Sequence, residues 1–331
     1  MDRRAFIGAL TGALLGVAPM ARAQVAARVW RIGFLTTGTG ALEVSGEKVP
    51  GPALVKAFRE LGYMEGKNVV FVGKAAGGVM ERLPERAAEL IASNVDVIIT
   101  QGSEATRAAK HATASIPIVF LGPSYPVEEG LVASFAHPGG NVTGITLAQS
   151  DLASKLLQLL RDIVPPLADV AVIWSPDNPG STFLFRDLER ASGALGTKIQ
   201  AMRVTSADES DSALAAMMSL RADALIVLPA ALVNAHMQRL CDLALKRRVP
   251  AISPLKQFAE RGLLLSYGAD IRDLQPRVAA YVDRILKGAK PADLPVERPT
   301  KFELAINLKT AKAIGIAIPQ SLRLRADELI Q

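Results

Sequence analysis

Cysteine occurs once in the 331 residues, at Cys241, so no internal disulfide can form and a small disulfide-stapled scaffold is excluded. Histidine occurs three times, at His111, His137 and His236, and neither these nor Cys241 fall at metal-ligand spacing. No metal and no cofactor is expected. Aromatic residues make up 5% of the chain, no basic run is interleaved with them and no block of like charge appears, so nucleic-acid binding is not expected. No apolar run reaches the roughly 18 to 20 residues of a membrane-spanning helix. Cys241 lies beside Leu240 and Ala244 in a helical pattern, which reads as a buried core thiol rather than a reactive one.

What is present is a large apolar fraction, half of all residues, on a chain longer than single cores usually support. Two domains are expected. Near the amino terminus, Asp2-Arg3-Arg4-Ala5-Phe6-Ile7 is a twin-arginine start, followed by a weakly polar stretch to Met20 and the small-x-small triplet Ala21-Arg22-Ala23. Residues 1–23 therefore read as an export signal, cleaved to leave a periplasmic chain starting at Gln24. The competing reading is an N-terminal membrane anchor. Arg22 beside the cleavage point fits the twin-arginine route. Losing Arg3, Arg4, Arg22 and Asp2 lowers the net charge from +6 to about +4, a mild excess.

Beyond Trp30 the chain keeps one rhythm. Short β-branched runs recur at 31–35, 68–72, 95–100, 116–121, 170–174, 198–204, 224–228, 249–253 and 263–267. Between most of them, apolar residues stand three or four apart, as at Leu83, Ala87, Leu90 and Ile91. Strand alternating with helix means a parallel sheet covered on both faces, and consecutive apolar residues such as Val97-Ile98-Ile99 are what doubly covered strands require. The rhythm breaks at Gly139-Gly140-Asn141-Val142-Thr143-Gly144, restarts after a helix at 151–164, and breaks again at Ser266-Tyr267-Gly268 before a long helix ending at Leu286. The expectation is an α/β protein of two doubly wound parallel-sheet lobes joined by a hinge at 141–146 and 266–268. Lobe 1 takes residues 29–146 and 268–290, and lobe 2 takes 147–267 and 300–331.

Dinucleotide binding fails on its own fingerprint. Gly38 and Gly40 are present, but Glu43 stands at the third glycine position, and the next helix cannot begin before Pro50-Gly51-Pro52. Gly122-Pro123-Ser124-Tyr125-Pro126 is similar to a nucleophile elbow with proline in place of the last glycine, which keeps a serine hydrolase using Ser124 open as an alternative. What remains are polar loops at the carboxyl ends of parallel strands, where open α/β sheets bind ligands. The first lobe offers Thr36, Thr37 and Thr39, then Gln101, Gly102 and Ser103, then Ser124 and Tyr125. From the second lobe come Asp177 and Asn178, Pro229 with nearby Asn234, Ser253 and Tyr267. Each is also an ordinary turn or helix-cap composition, and the argument rests on their joint placement at a cleft. Ser103 is expected to cap its helix and present amides to an anion. Tyr125, Trp174 and Tyr267 offer flat apolar surface, or belong to the core.

Several stretches resemble one family. Phe58-Arg59-Glu60-Leu61-Gly62-Tyr63 with Glu65-Gly66-Lys67-Asn68-Val69, Pro117-Ile118-Val119-Phe120, Gly130-Leu131-Val132-Ala133-Ser134 and Pro138-Gly139-Gly140-Asn141-Val142-Thr143-Gly144 are similar to solute-binding proteins of ABC transporters of the tryptophan- and tyrosine-binding type. The likeness continues through 262–268, 288–295 and Pro299-Thr300-Lys301-Phe302-Glu303-Leu304. It implies a periplasmic-binding-protein type I fold closing on a small molecule, without catalysis, as a monomer that delivers its ligand to a membrane permease. A ligand-sensing partner of a membrane receptor is the other role open to such a fold. Many relatives carry Gly-Asp-Pro-Val where this chain has Ser124-Tyr125-Pro126-Val127, so an acid that pairs with a ligand ammonium is missing there; Glu104, Asp177 and Asp270 are the substitutes in reach. The expected ligand is a small carboxylate with an apolar body.

Overall fold

The structure, a computed structural model, describes residues 28–38, 42–44, 47–49, 51–147, 152–205 and 222–331. The export signal expected at 1–23 and the candidate Thr39 lie outside these residues.

Five strands, β1 (Trp30–Thr36), β4 (Val69–Ala75), β5 (Val97–Gln101), β6 (Ile118–Gly122) and β7 (Val142–Thr146), form a fully parallel sheet in the order β4-β1-β5-β6-β7. A small antiparallel pair, β2 (Leu42–Val44) and β3 (Glu47–Val49), forms a separate sheet with β3 alongside β4. Seven more strands, β8 (Asp169–Trp174), β9 (Lys198–Arg203), β10 (Ala224–Val227), β11 (Ala251–Ser253), β12 (Leu265–Gly268), β13 (Glu303–Asn307) and β14 (Glu328–Ile330), form the second sheet in the order β14-β13-β12-β11-β10-β8-β9. All nine β-branched runs become strands. The second sheet departs from the all-parallel expectation, because β13 runs antiparallel to β12. It enters from the other lobe instead of from a crossover helix, and an antiparallel strand near the edge of a parallel sheet is the usual place for such an entry.

Consecutive apolar residues serve two cores at once. Val97 and Ile99 of β5 face helices α1 (Pro52–Glu60) and α9 (Ile271–Leu286), where Leu54, Phe58, Val278 and Val282 are buried. Ile98, one residue away, faces α2 (Leu83–Ala92) and α3 (Ser103–Ala112) with Leu90 and Ala109. In the second sheet, Val170 and Val172 face α4 (Leu152–Ile163) and α5 (Pro179–Leu195). Ala171 and Ile173 face the side of α6 (Ala231–Ala235), α7 (Met237–Lys246) and α8 (Lys256–Glu260). Two short helices, α10 (Leu308–Ile314) and α11 (Gln320–Arg325), complete the second lobe. Cys241 is free and buried in this core, and burial pushes its thiol up to about 11.

The chain passes between the sheets three times. It leaves the first after Thr146, returns after Gly268, and crosses again beyond Glu297, whose backbone pairs with the end of β7 (Glu297 N to Gly144 O 3.0 Å, Thr146 N to Glu297 O 2.9 Å). Leu147 and Ile271, at the first two crossings, each pack against a core of both lobes. Among the described residues, no helix is long and apolar enough to cross a membrane.

Candidate ligand-binding site

Because both sheets are largely parallel, the loops that follow their strands gather at one end, and the two sets of loops enclose a cavity of about 500 Å³. Nine of the residues expected from sequence line it: Thr36, Thr37, Gln101, Gly102, Ser103 and Ser124 from the first lobe, Asn178, Pro229 and Asn234 from the second. Four others lie elsewhere. Tyr125 donates its hydroxyl to Asp187 of α5 at 2.6 Å and packs its ring at a tilt against Phe183. Ser253 is buried and turns its Oγ to the amide of Leu255. Tyr267 packs on the core beneath α4 and α5, and Asp177 is not among the lining residues. Trp174 stacks on Phe185 in the same core, with ring centroids 4.4 Å apart.

No aromatic ring therefore lines the cavity among the described residues. Its large apolar side chains are Leu121, Leu147, Leu152, Leu184, Met237, Leu255 and Ile271. Sequence reasoning passed over these, as it did Gly77 and Gly78 after β4, because nothing in a lone leucine distinguishes a cavity wall from a core position. Ala230 and Gln257 also went unread.

The polar chemistry centres on two helix starts. Gly102, not Ser103, is the N-cap of α3; its φ of +87° suits glycine, and no side chain caps the helix. The first amides of α3 are thus left to whatever occupies the cavity, with Ser103 beside them. Opposite, Asn178 caps α5 by accepting from Ser181 N at 2.7 Å, and its Nδ2 donates to Glu104 Oε1 at 2.8 Å across the two lobes. Asn234 presents a buried Oδ1 that has no partner. Glu104 and Arg261 are the charged side chains lining the cavity among the described residues.

Ser124 reaches the cavity without a base in view. His111 stands eight residues along α3 from Ser103, about 12 Å down the helix axis. His137 is held by its backbone amide to Ser134 Oγ, and His236 precedes α7 in the other lobe.

Residues 47–330 match the model of a family described as ABC transporter substrate binding protein. A tyrosine-binding protein of Clostridioides difficile is 26% identical over 264 residues, spanning 79% of this chain and 75% of the relative. Among solved structures, a conserved domain protein of Vibrio cholerae superimposes with a TM-score of 0.82 at 25% identity, covering 91% of this chain and all of that one. An ABC domain of Streptococcus pneumoniae, solved in complex with L-Trp, gives 0.80 at 24% identity with the same coverage.

Proposed function

The chain belongs to the family of ABC transporter substrate binding proteins, and we propose that it is the extracytoplasmic solute-binding subunit of an importer, taking a small carboxylate with an apolar body. One observation carries the ligand class: the uncapped start of α3 opens on a cavity whose wall also carries an apolar set, Leu121, Leu147, Leu152, Leu184, Met237, Leu255 and Ile271. Free amides at a helix start favour an anion by both their hydrogen bonds and the helix dipole. Thr36, Thr37 and Ser124 add hydroxyl donors on the same side. Asn234, with an unsatisfied buried oxygen, asks for a donor from the ligand in return. Glu104 is engaged by Asn178, so an ammonium on the ligand is permitted rather than demanded. The relatives named for tyrosine and bound to L-Trp agree with a carboxylate carrying a flat body.

In this reading residues 1–23 direct export and are removed, lobe 1 comprises 29–146 and 268–290, lobe 2 comprises 147–267 and 300–331, and the closed, loaded form docks on a membrane permease. A thermal-shift screen of L-tryptophan, L-tyrosine, their deaminated acids, aliphatic acids and neutral sugars tests the ligand class. A true ligand at a hundred times its dissociation constant stabilises the fold by about 2.7 kcal/mol. Carboxylates should raise the melting temperature and Ser103→Ala should weaken them; stabilisation by sugars alone overturns the assignment. Amino-terminal sequencing of exported protein should begin at Gln24, and an intact Met1 on membrane-bound material would reject the export reading.

A further inference from the structure

Glu129 belongs to the segment after β6, and both oxygens of its carboxylate are enclosed without completing a hydrogen bond. The segment is fixed to lobe 1: Lys110 donates to the carbonyls of Gly130 (2.6 Å) and Leu131 (3.1 Å), and Glu129 N donates to Tyr125 O (2.8 Å). Ser103 and the Tyr125 backbone of its own lobe flank the carboxylate, and the other lobe closes over it at Gly180. A Cβ placed on Gly180, in the first turn of α5, would stand 3.2 Å from Glu129 Oε1 and 3.6 Å from Ser103 Oγ, so the absent side chain is what leaves room for the acid at the seam. On either side the seam is held by Tyr125 on Asp187 and by Asn178 on Glu104.

We propose that closing the two lobes loads a proton onto Glu129, so that the closed form is favoured by acid and released as the medium becomes neutral. The inference rests on the reading that the lobes close around a ligand, and it adds how that motion is regulated. A buried carboxylate that completes no hydrogen bond carries an electrostatic penalty, and a proton removes it. The charged groups around it divide. On α3, Arg107 favours the anion and Glu104 opposes it; Ser103 and the Tyr125 backbone also favour it, yet burial dominates and lifts the carboxyl from its ordinary 4.5 to about 7. On its own segment lie Glu128 and the Tyr125 phenol, and α5 brings Asp187, Arg186 and Arg190, of which Asp187 is already paired with Arg190 and Tyr125.

The sign follows from opening. Moving Gly180 away returns the carboxylate to water and to its ordinary value, so the closed form binds more protons between about pH 4.5 and 7. Closure is easiest below that window, weakens as pH rises through it, and is flat above it.

The test needs no ligand. Spin labels attach through Leu61→Cys in lobe 1 and Leu324→Cys in lobe 2, both exposed positions, while buried Cys241 stays unlabelled. Pulsed electron–electron resonance then reads the lobe separation of the full mature chain at pH 5 and pH 8. The ratio of closed to open should fall by about tenfold or more across that interval. Glu129→Gln, a neutral isostere of the protonated acid, should keep the pH 5 distribution at pH 8. Distances indifferent to pH, or a Gln variant that follows pH as the parent does, overturn the proposal. Neither result touches the carboxylate screen, and a failed screen leaves these distances to be judged on their own.

Discussion

Gly268 closes β12 at the point where the chain turns back to the first lobe, and its backbone lies so near Pro254 that a Cβ would stand 2.1 Å from the proline carbonyl oxygen. Nothing flexible is available to yield. Gly268→Ala should therefore destabilise by about 1–3 kcal/mol, seen as a lower denaturant midpoint with an unchanged slope. Because Gly268 also lines the cavity, ligand affinity should fall with it. The sequence marked this glycine as part of a break in rhythm, and it marked Thr36, Thr37, Gln101, Ser103 and Ser124 because small polar residues after parallel strands have one common destination. Direction was the information it lacked. Tyr125 sits in the expected loop, but its hydroxyl finds Asp187, 62 residues away, and swings the ring out of the cavity. Asp177 and Asn178 were indistinguishable as strings; the cap geometry of α5 selects Asn178 and turns only that side chain to the seam.

At the scale of elements, one lysine ties several parts of the second lobe to its crossing. Lys256, the first residue of α8, meets Glu303 of β13 at 2.9 Å, Glu328 of β14 at 2.7 Å and Asp270, the N-cap of α9, at 3.6 Å. Burial works against the ammonium, yet Glu328 and Glu303 hold it above its ordinary range. Glu303 is held low by Lys301 and then Lys256, while Asp270, despite its burial, is held low chiefly by Arg272. Lys256→Met should cost about 1–3 kcal/mol at pH 7, less than a stripped buried pair because Lys301 and Arg272 remain. Carboxylates depressed in the fold stabilise it above their unfolded values and lose that effect as pH falls through the folded ones, so the deficit should shrink below about pH 4. Chemical denaturation at pH 7 and pH 3 checks both statements. This node was invisible in sequence: Lys256, Asp270, Glu303 and Glu328 are scattered over 73 positions, and only the unforeseen strands β13 and β14 bring them together. Strand β7 was read only as a hinge and a break in rhythm, for a related reason. Val142-Thr143-Gly144 follows two glycines and an asparagine and looks like a turn, but sheet pairing with β6 makes it a strand.

For the whole molecule, the question is how far two lobes with separate cores behave as one. Each sheet is sealed by its own helices, and the shared apolar contacts concentrate at Leu147 and Ile271, which touch a core on both sides and also line the cavity. Both are only partly buried, so truncating either should cost less than the 2–5 kcal/mol of a fully buried site, about 1–2 kcal/mol each. The larger consequence is for cooperativity. Leu147→Ala combined with Ile271→Ala removes contacts that make the unfolding of one lobe costly to the other, while leaving the sheets and their helices intact. Calorimetry should show the single transition of the parent broadening or separating into two, with the van't Hoff enthalpy falling below the calorimetric one. A saturating ligand, if it bridges Ser103 of one lobe and Asn178 of the other as proposed, should draw the two transitions back together, since a molecule bound across the cleft stabilises only the state in which both lobes are folded. If the double variant still melts in one transition with equal enthalpies, the lobes are coupled elsewhere, and the seam at Tyr125–Asp187 and Glu104–Asn178 becomes the place to cut next.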